Sequence, residues 1–199
     1  MYEAVSVFRR GVSIYAAPVG VWVEGRSLKV KLYPGTMMTR LFTEEPTVCI
    51  CLPNNPIIFY EALLEHRVTC REAACSQSPC PLCCSVAMEC SIEGRSNTLP
   101  ASPITLTLTP LCCTLNYTPT PYTRLMGCSV ELLIAATRIK YFASVRRCAE
   151  TWDWCRRGAY ALECIRHASR GVNTVRRLAE RVFAEAASLA EEKGCPCRC

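Results

Sequence analysis

The hydrophobic periodicity of this chain changes once, near residue 122, and that change limits it to a narrow set of folds. Before it, apolar and polar residues alternate: Leu28, Val30 and Leu32 against Lys29 and Lys31, then Ile104, Leu106 and Leu108 against Thr105, Thr107 and Thr109. A period of two places one face of a strand on a core and the other in water. After it, apolar residues recur at helical spacing in three stripes: Met126, Val130, Leu133 and Ile134; Ala149, Trp152, Cys155, Ala159 and Leu162; Val175, Leu178, Val182, Ala186 and Leu189. Gly171 precedes the last stripe and Gly194 is placed to stop it. Strands first and helices afterwards indicate a segregated α+β protein, not alternating β-α-β units.

The β region reads as six strands: Glu3 to Arg9, Ser13 to Val23, Ser27 to Tyr33, Thr47 to Leu52, Ser85 to Arg95 and Ile104 to Leu115. Turns fall at Glu24-Gly25 and Pro34-Gly35, and Pro100 and Pro103 mark the connection between the last two strands. With 199 residues the chain is long enough for one buried domain with a helical subdomain, here a β-domain over 1–122 and a helical segment over 123–199. Apolar residues at 50% and charged residues at 20% suit a folded chain.

The net charge of +6 is uneven: residues 1–120 carry 9 basic and 9 acidic side chains, residues 121–199 carry 14 and 8. An Arg-laced solvated helix face accounts for this excess more simply than a nucleic-acid partner, and none is expected. No stretch is long and apolar enough for a bilayer, and Met1 to Gly11 lacks the pattern of an export signal, so a cytoplasmic protein is expected. Seventeen cysteines are unusual for that compartment, except in hyperthermophiles, and 19 Arg against 4 Lys fits a thermophile. Several internal disulfides follow, and the odd count leaves at least one thiol over or paired between chains.

The segment Leu32-Tyr33-Pro34-Gly35-Thr36-Met37-Met38-Thr39-Arg40-Leu41 is a strand that stops at Pro-Gly and turns into a short helix. Thr36 is the N-cap, and the helix ends before Pro46. Backbone N–H groups and the dipole at such an N-terminus attract an anion, which the Thr36 and Thr39 hydroxyls and the Arg40 guanidinium would help to hold; a plain capped helix is the alternative. The preceding strand carries Ala16-Ala17-Pro18-Val19-Gly20-Val21. Small residues and a proline weaken a central strand unless something flat approaches its backbone, and a flavin ring is such an object. Asn54-Asn55-Pro56 offers side-chain amides at the same end of the sheet, or simply caps the helix that starts near Pro56.

At these residues the chain resembles an archaeal family of uncharacterised flavoproteins with the FMN-binding split-barrel fold, related to flavin reductases and more distantly to pyridoxamine-phosphate oxidases. The resemblance rests on Ala17-Pro18-Val19-Gly20-Val21, on Val30-Lys31-Leu32-Tyr33-Pro34-Gly35-Thr36, and on Asn54-Asn55-Pro56-Ile57-Ile58-Phe59, where relatives tend to have acidic residues before the proline. Tyr122-Thr123-Arg124 through Arg138 resembles the family's first C-terminal helix, with Ala135 where relatives often have histidine. Residues 66–116 match only in strand pattern. The resemblance implies a split β-barrel with a C-terminal helical segment, a homodimer holding FMN near its interface, and flavin reductase-type redox chemistry. It implies contacts from Ala17, Pro18, Val19 and Gly20 to the ring or ribityl chain. Tyr33, Gly35, Thr36, Thr39 and Arg40 would lie near the phosphate, with Asn54 and Asn55 as further candidates.

Two other readings stay open. The chain is a flavin carrier or sensor without turnover, or it uses its cysteines for zinc or an Fe–S cluster. Cys70, Cys75, Cys80, Cys83 and Cys84 contain one C-x2-C spacing and the tail reads Cys195-Pro196-Cys197-Arg198-Cys199. A structural zinc site needs two knuckles, so disulfides are the simpler expectation. Cys49, Cys51, Cys155 and Cys164 read as small buried thiols without chemistry. His66 and His167 sit in no nucleophile context and read as surface or capping residues, and Trp152 and Trp154 as helix packing, with a cover over a flavin the alternative for one of them. No dinucleotide or P-loop motif is present.

Overall fold

The structure, a computed structural model, describes residues 2–11, 13–69, 80–81, 84–96, 103–115, 123–169 and 173–197. Cys70, Cys75, Cys83, Cys199, Gly171, Pro100 and Tyr122, singled out above, lie outside them. The chain forms two compact units, one of residues 1–54 and 61–120, the other of residues 55–60 and 121–199.

The first unit is a six-stranded antiparallel barrel. Its strands are β1 (Tyr2–Arg10), β2 (Ser13–Glu24), β3 (Ser27–Leu32), β4 (Thr47–Pro53), β5 (Cys84–Ser96) and β6 (Ile104–Leu115), in the spatial order β1-β2-β3-β6-β5-β4, closed by β1 against β4. These are the six strands expected from alternation, with ends displaced by a residue or so. Ala4, Phe8, Val19, Val21, Leu28, Val30, Val48, Ile50, Leu106 and Leu108 fill the interior, each from one parity of its strand. A short helix, α1 (Met37–Glu44), drops Leu41 and Phe42 into the same core, where the Phe42 ring meets Phe8 edge-on at 4.9 Å.

The barrel is incompletely sealed. β1 pairs with β2 along nine residues of each strand, but β3 pairs with β2 only from Val21↔Val30 to Glu24↔Ser27. Beyond that point β3 stays with β6 through Lys31↔Thr105 and Leu32↔Ile104, then leaves the sheet for α1. The first half of β2 therefore has one strand neighbour where it would otherwise have two. This is the split of a split barrel, and the fold is α+β as expected.

The second unit contains the start of α2 (Pro56–Leu64) and three long helices, α3 (Arg124–Ser144), α4 (Cys148–Ala168) and α5 (Asn173–Glu192). Gly194, at φ +79°, ends α5 while the Cys195 N–H returns to the Ala190 carbonyl, so the expected glycine stop holds. The apolar stripe of α4 is rotated from the expected one: Thr151, Cys155, Gly158, Ala161, Leu162 and Ile165 are buried, whereas Trp152 is 40% exposed. Small residues decide this face. Gly158 lets Phe183 of α5 approach so closely that a Cβ would meet its ring at 2.6 Å. On α4 and α5 arginines are matched by carboxylates, in pairs such as Arg156 and Arg157 with Asp153, Arg166 and Arg176 with Glu180, and Arg181 with Glu185, so the basic excess of residues 121–199 lies outside these two helices.

Disulfides Cys128–Cys164, Cys148–Cys195 and Cys155–Cys197 tie this unit, and Cys51–Cys84 ties the barrel. Disulfide-rich is correct, but Cys51, Cys155 and Cys164 are cross-linked, not buried thiols. Burial alone does not distinguish a core thiol from a half-cystine, because both are small and apolar.

Two predictions follow from the helical unit. Gly158→Ala gains up to about 1 kcal/mol of helix propensity but overpacks against Phe183 at a cost of about 1–3 kcal/mol, so a net loss in thermal denaturation is expected, with recovery in Gly158→Ala/Phe183→Leu. The buried Tyr60 hydroxyl lies near that of Ser129, yet neither completes a hydrogen bond of normal geometry among the described residues. Burial pushes the Tyr60 phenol up to about 12. Its raised folded value means that the neutral form is favoured in the fold, so this contribution is intact below about pH 10 and lost as pH rises towards 12. Urea midpoints of wild type and Tyr60→Phe should therefore be similar at about pH 8 and separate above about pH 10, with the Phe variant the more stable.

Candidate functional site

The split leaves the first half of β2 without a strand partner on its β3 side. Along β2, backbone groups point alternately to either edge. The Ala16 N–H turns away from β1 and donates to the His66 carbonyl at 2.6 Å, which identifies its edge as the open one. By alternation Pro18 and Gly20 face the same edge. Proline has no N–H to leave unpaired there, which explains a proline inside a barrel strand. The Ala17 carbonyl is held by the Ser6 hydroxyl at 3.0 Å, whose oxygen also lies 3.6 Å from Met38 Sδ. Ser6 is fully buried and so links β1, β2 and α1 at the split.

His66 closes one end of this edge. It follows α2 in the left-handed region at φ 54°, and its ring stacks on Tyr15 with centroids 5.0 Å apart and planes 15° from parallel. Burial raises the Tyr15 phenol above its ordinary range, so it remains a neutral hydroxyl. Sequence reasoning missed Ser6 and Tyr15; His66 is exposed and follows the end of α2, as its surface or capping reading expected, and only its contact with β2 was not foreseen. Only the register of β1 on β2 and the return of the chain after α2 bring them to β2.

At the other side of the split stands the β3-to-α1 turn. Gly35 adopts φ +79° with open space where a Cβ would project, so the turn needs glycine for its backbone. Thr36 is extended at φ −95° and ψ 155°, and its Oγ1 accepts from the Thr39 N–H at 3.2 Å, the expected N-cap. The Thr36 and Thr39 hydroxyls are 2.9 Å apart, and both reach the Tyr33 carbonyl, at 3.2 and 2.5 Å. The first-turn N–H groups of Met37 and Met38 have no acceptor within the helix, and no acidic residue occupies that turn. Positive potential at the helix start is thus uncompensated. Arg40, more than half exposed, is held by Glu44 at 2.7 Å.

Of the residues expected around a flavin, Ala17, Pro18, Val19 and Gly20 lie together on β2, and Tyr33, Gly35, Thr36, Thr39 and Arg40 lie together at the turn. The Ala17 and Val19 side chains are buried, Val19 in the barrel core. By the same alternation their backbone groups face β1, so the open edge is presented by Pro18 and Gly20. Asn54 follows the end of β4, while Asn55 is engaged locally, its Oδ1 accepting from the Ile57 N–H at 3.0 Å. That arrangement is the helix-capping alternative for Asn55. Among the described residues no group of three or more His, Cys, Asp or Glu side chains is placed to hold a metal ion. No helix among them is long and apolar enough to cross a membrane.

The family model for the N-terminal domain of DUF447, a protein of unknown function, matches residues 4–114, the barrel itself. The chain belongs to the DUF447 family. No curated protein matches it. Among solved structures it is similar to the FMN-bound DUF447 protein MM1853 from Methanosarcina mazei, with a TM-score of 0.71 and 16% identity over 92% of this chain and 93% of that one. Such coverage extends beyond the barrel into the helices. It is also similar to the flavin reductase HpaC complexed with NADP+, with a TM-score of 0.50 and 7% identity over 60% of this chain and 81% of that one. At these identities the likeness is one of fold.

For this DUF447 chain, Thr36→Ala removes the side-chain cap of α1 and should cost about 1 kcal/mol in chemical denaturation, while Thr36→Ser restores most of it. Equal stability of all three proteins would mean that the cap does not hold the turn.

Proposed function

We propose that this protein binds FMN at the split of its barrel, as a homodimeric cytoplasmic flavoprotein with flavin reductase-type oxidoreductase activity. The observation that carries this reading is the pairing of two features on opposite sides of one gap. A strand edge without a neighbour, carrying Pro18 and Gly20, suits a flat ring, and an uncompensated helix N-terminus with two threonine hydroxyls suits a phosphate. The FMN-bound state of MM1853, which has the same fold, supports the choice of ligand.

In this reading the edge of β2 from Ala17 to Gly20 lies along the ring or ribityl chain, and Tyr33, Gly35, Thr36, Thr39 and Arg40 surround the phosphate. Asn54 stands as a further contact, and Asn55 would have to give up its hydrogen bond to Ile57 to become one. Bound flavin supplies the hydride or electron transfer, while the protein supplies position and electrostatics. The Thr36 and Thr39 hydroxyls now share the Tyr33 carbonyl and can turn towards phosphate oxygens without moving the backbone. Arg40 must exchange Glu44 for phosphate, an exchange that is cheap because the pair is exposed.

The test is titration of the purified protein with FMN and with riboflavin, followed by flavin fluorescence. Arg40→Ala should weaken FMN by about tenfold, the low end for a charge-assisted hydrogen bond at an exposed site, and leave riboflavin unchanged. Equal effects on both ligands would remove the phosphate from this turn, and failure of the wild-type protein to bind either would remove the flavin altogether. Oxidation of a nicotinamide or deazaflavin donor by the loaded protein separates an oxidoreductase from a carrier.

A further inference from the structure

Cys49 and Cys51 are two residues apart on β4, so they share the face of the strand opposite to the one on which Val48 and Ile50 enter the barrel core. Both are fully buried, which means that something covers them on the outside. Cys80 and Cys84 are part of that cover. Cys84 is bonded to Cys51, the Cys84 N–H returns to the Pro81 carbonyl at 3.5 Å, and Cys80 is brought to Cys49 with the two sulfurs in hydrogen-bonding contact. Two sulfurs on one strand thus face two on one short segment. Cys80 is almost fully buried.

We infer that Cys49 and Cys80 form a fifth disulfide, parallel to Cys51–Cys84, so that the segment ending at β5 is fastened to the outside of β4 by two adjacent bonds. A chain that keeps four disulfides is oxidised under conditions that also oxidise another pair of thiols in contact. The step balances with a low-molecular-weight disulfide as oxidant. The Cys80 thiolate attacks one of its sulfurs, forming a mixed disulfide and releasing one small thiol; the Cys49 thiolate then attacks the Cys80 sulfur and releases the second. Two protons leave the cysteines, and two electrons pass to the small disulfide. Closure belongs to folding, before the segment covers β4. Once covered, Cys49 is held protonated by its contact with Cys80 and by burial, and a buried protonated thiol exchanges slowly. Because Cys51–Cys84 already closes the long loop, the second bond adds little loop-closure stabilisation and acts locally.

Full-length protein purified without reductant, blocked with N-ethylmaleimide under denaturing conditions and cut by trypsin tests this. Cys49 and Cys51 fall in one peptide, Leu41 to Arg67, and Cys80 and Cys84 in another, Glu72 to Arg95. In Cys51→Ser/Cys84→Ser protein the two peptides should stay joined, and a further Cys49→Ser or Cys80→Ser change should separate them. If those variants do not fold, fragmentation of the joined wild-type peptides should show the Cys49–Cys80 bond directly. Maleimide on Cys49 and Cys80 of the wild-type protein would overturn the inference, whether or not one equivalent of zinc, released on denaturation, accompanies it.

Discussion

The short run of pairing between β2 and β3 is the constraint on which the rest of the barrel depends. Four residue pairs hold these strands together, against nine between β1 and β2. A longer run would seal the sheet, leave no gap for α1 and bury a proline where a strand needs an N–H. Instead, β3 stays with β6, the chain turns at Gly35, and α1 fills the opening with Leu41 and Phe42. The unpartnered edge of β2 and the start of α1 come from the same parting of strands, with the Ala16 N–H on that edge taken by the His66 carbonyl and Ser6 in contact with both β2 and α1.

The helical unit follows a different physical logic. Its core rests on small residues, Gly158, Ala161, Ala179 and Ala186 among them, which bring the helices close but bury little apolar area per residue. Three disulfides supplement that core, two of them attaching Cys195 and Cys197 to α4. A groove of about 710 Å³ between α3 and α4, lined by Arg124, Cys128, Asp153, Arg157, Tyr160 and Cys164, is roomy enough for a small ligand. Asp153 answers two of its guanidiniums, and the groove contains none of the residues of the barrel split.

The α+β class, all six strands and the Thr36 cap were legible because each is written locally, in alternation or in a capping side chain next to a turn. Pro18 was legible as an anomaly. Its explanation was not, because that an edge is open depends on where β3 goes. The same holds for His66 and Tyr15, which are 51 positions apart and meet through the path after α2. The stripe of α4 was misjudged because bulk was equated with burial: Trp152 faces outward, and Gly158, with no side chain to bury, marks the inward face. Cysteine pairing was illegible in principle, since connectivity depends on three-dimensional approach and not on spacing.

The measurement that bears most directly on the central claim is a crystal structure of the protein with FMN. The account predicts the phosphate against the Met37 and Met38 amides and the threonine hydroxyls, with the ring along the open edge of β2 at Pro18 and Gly20. FMN seated elsewhere, in the groove between α3 and α4 for example, with the edge of β2 covered by protein, would contradict it.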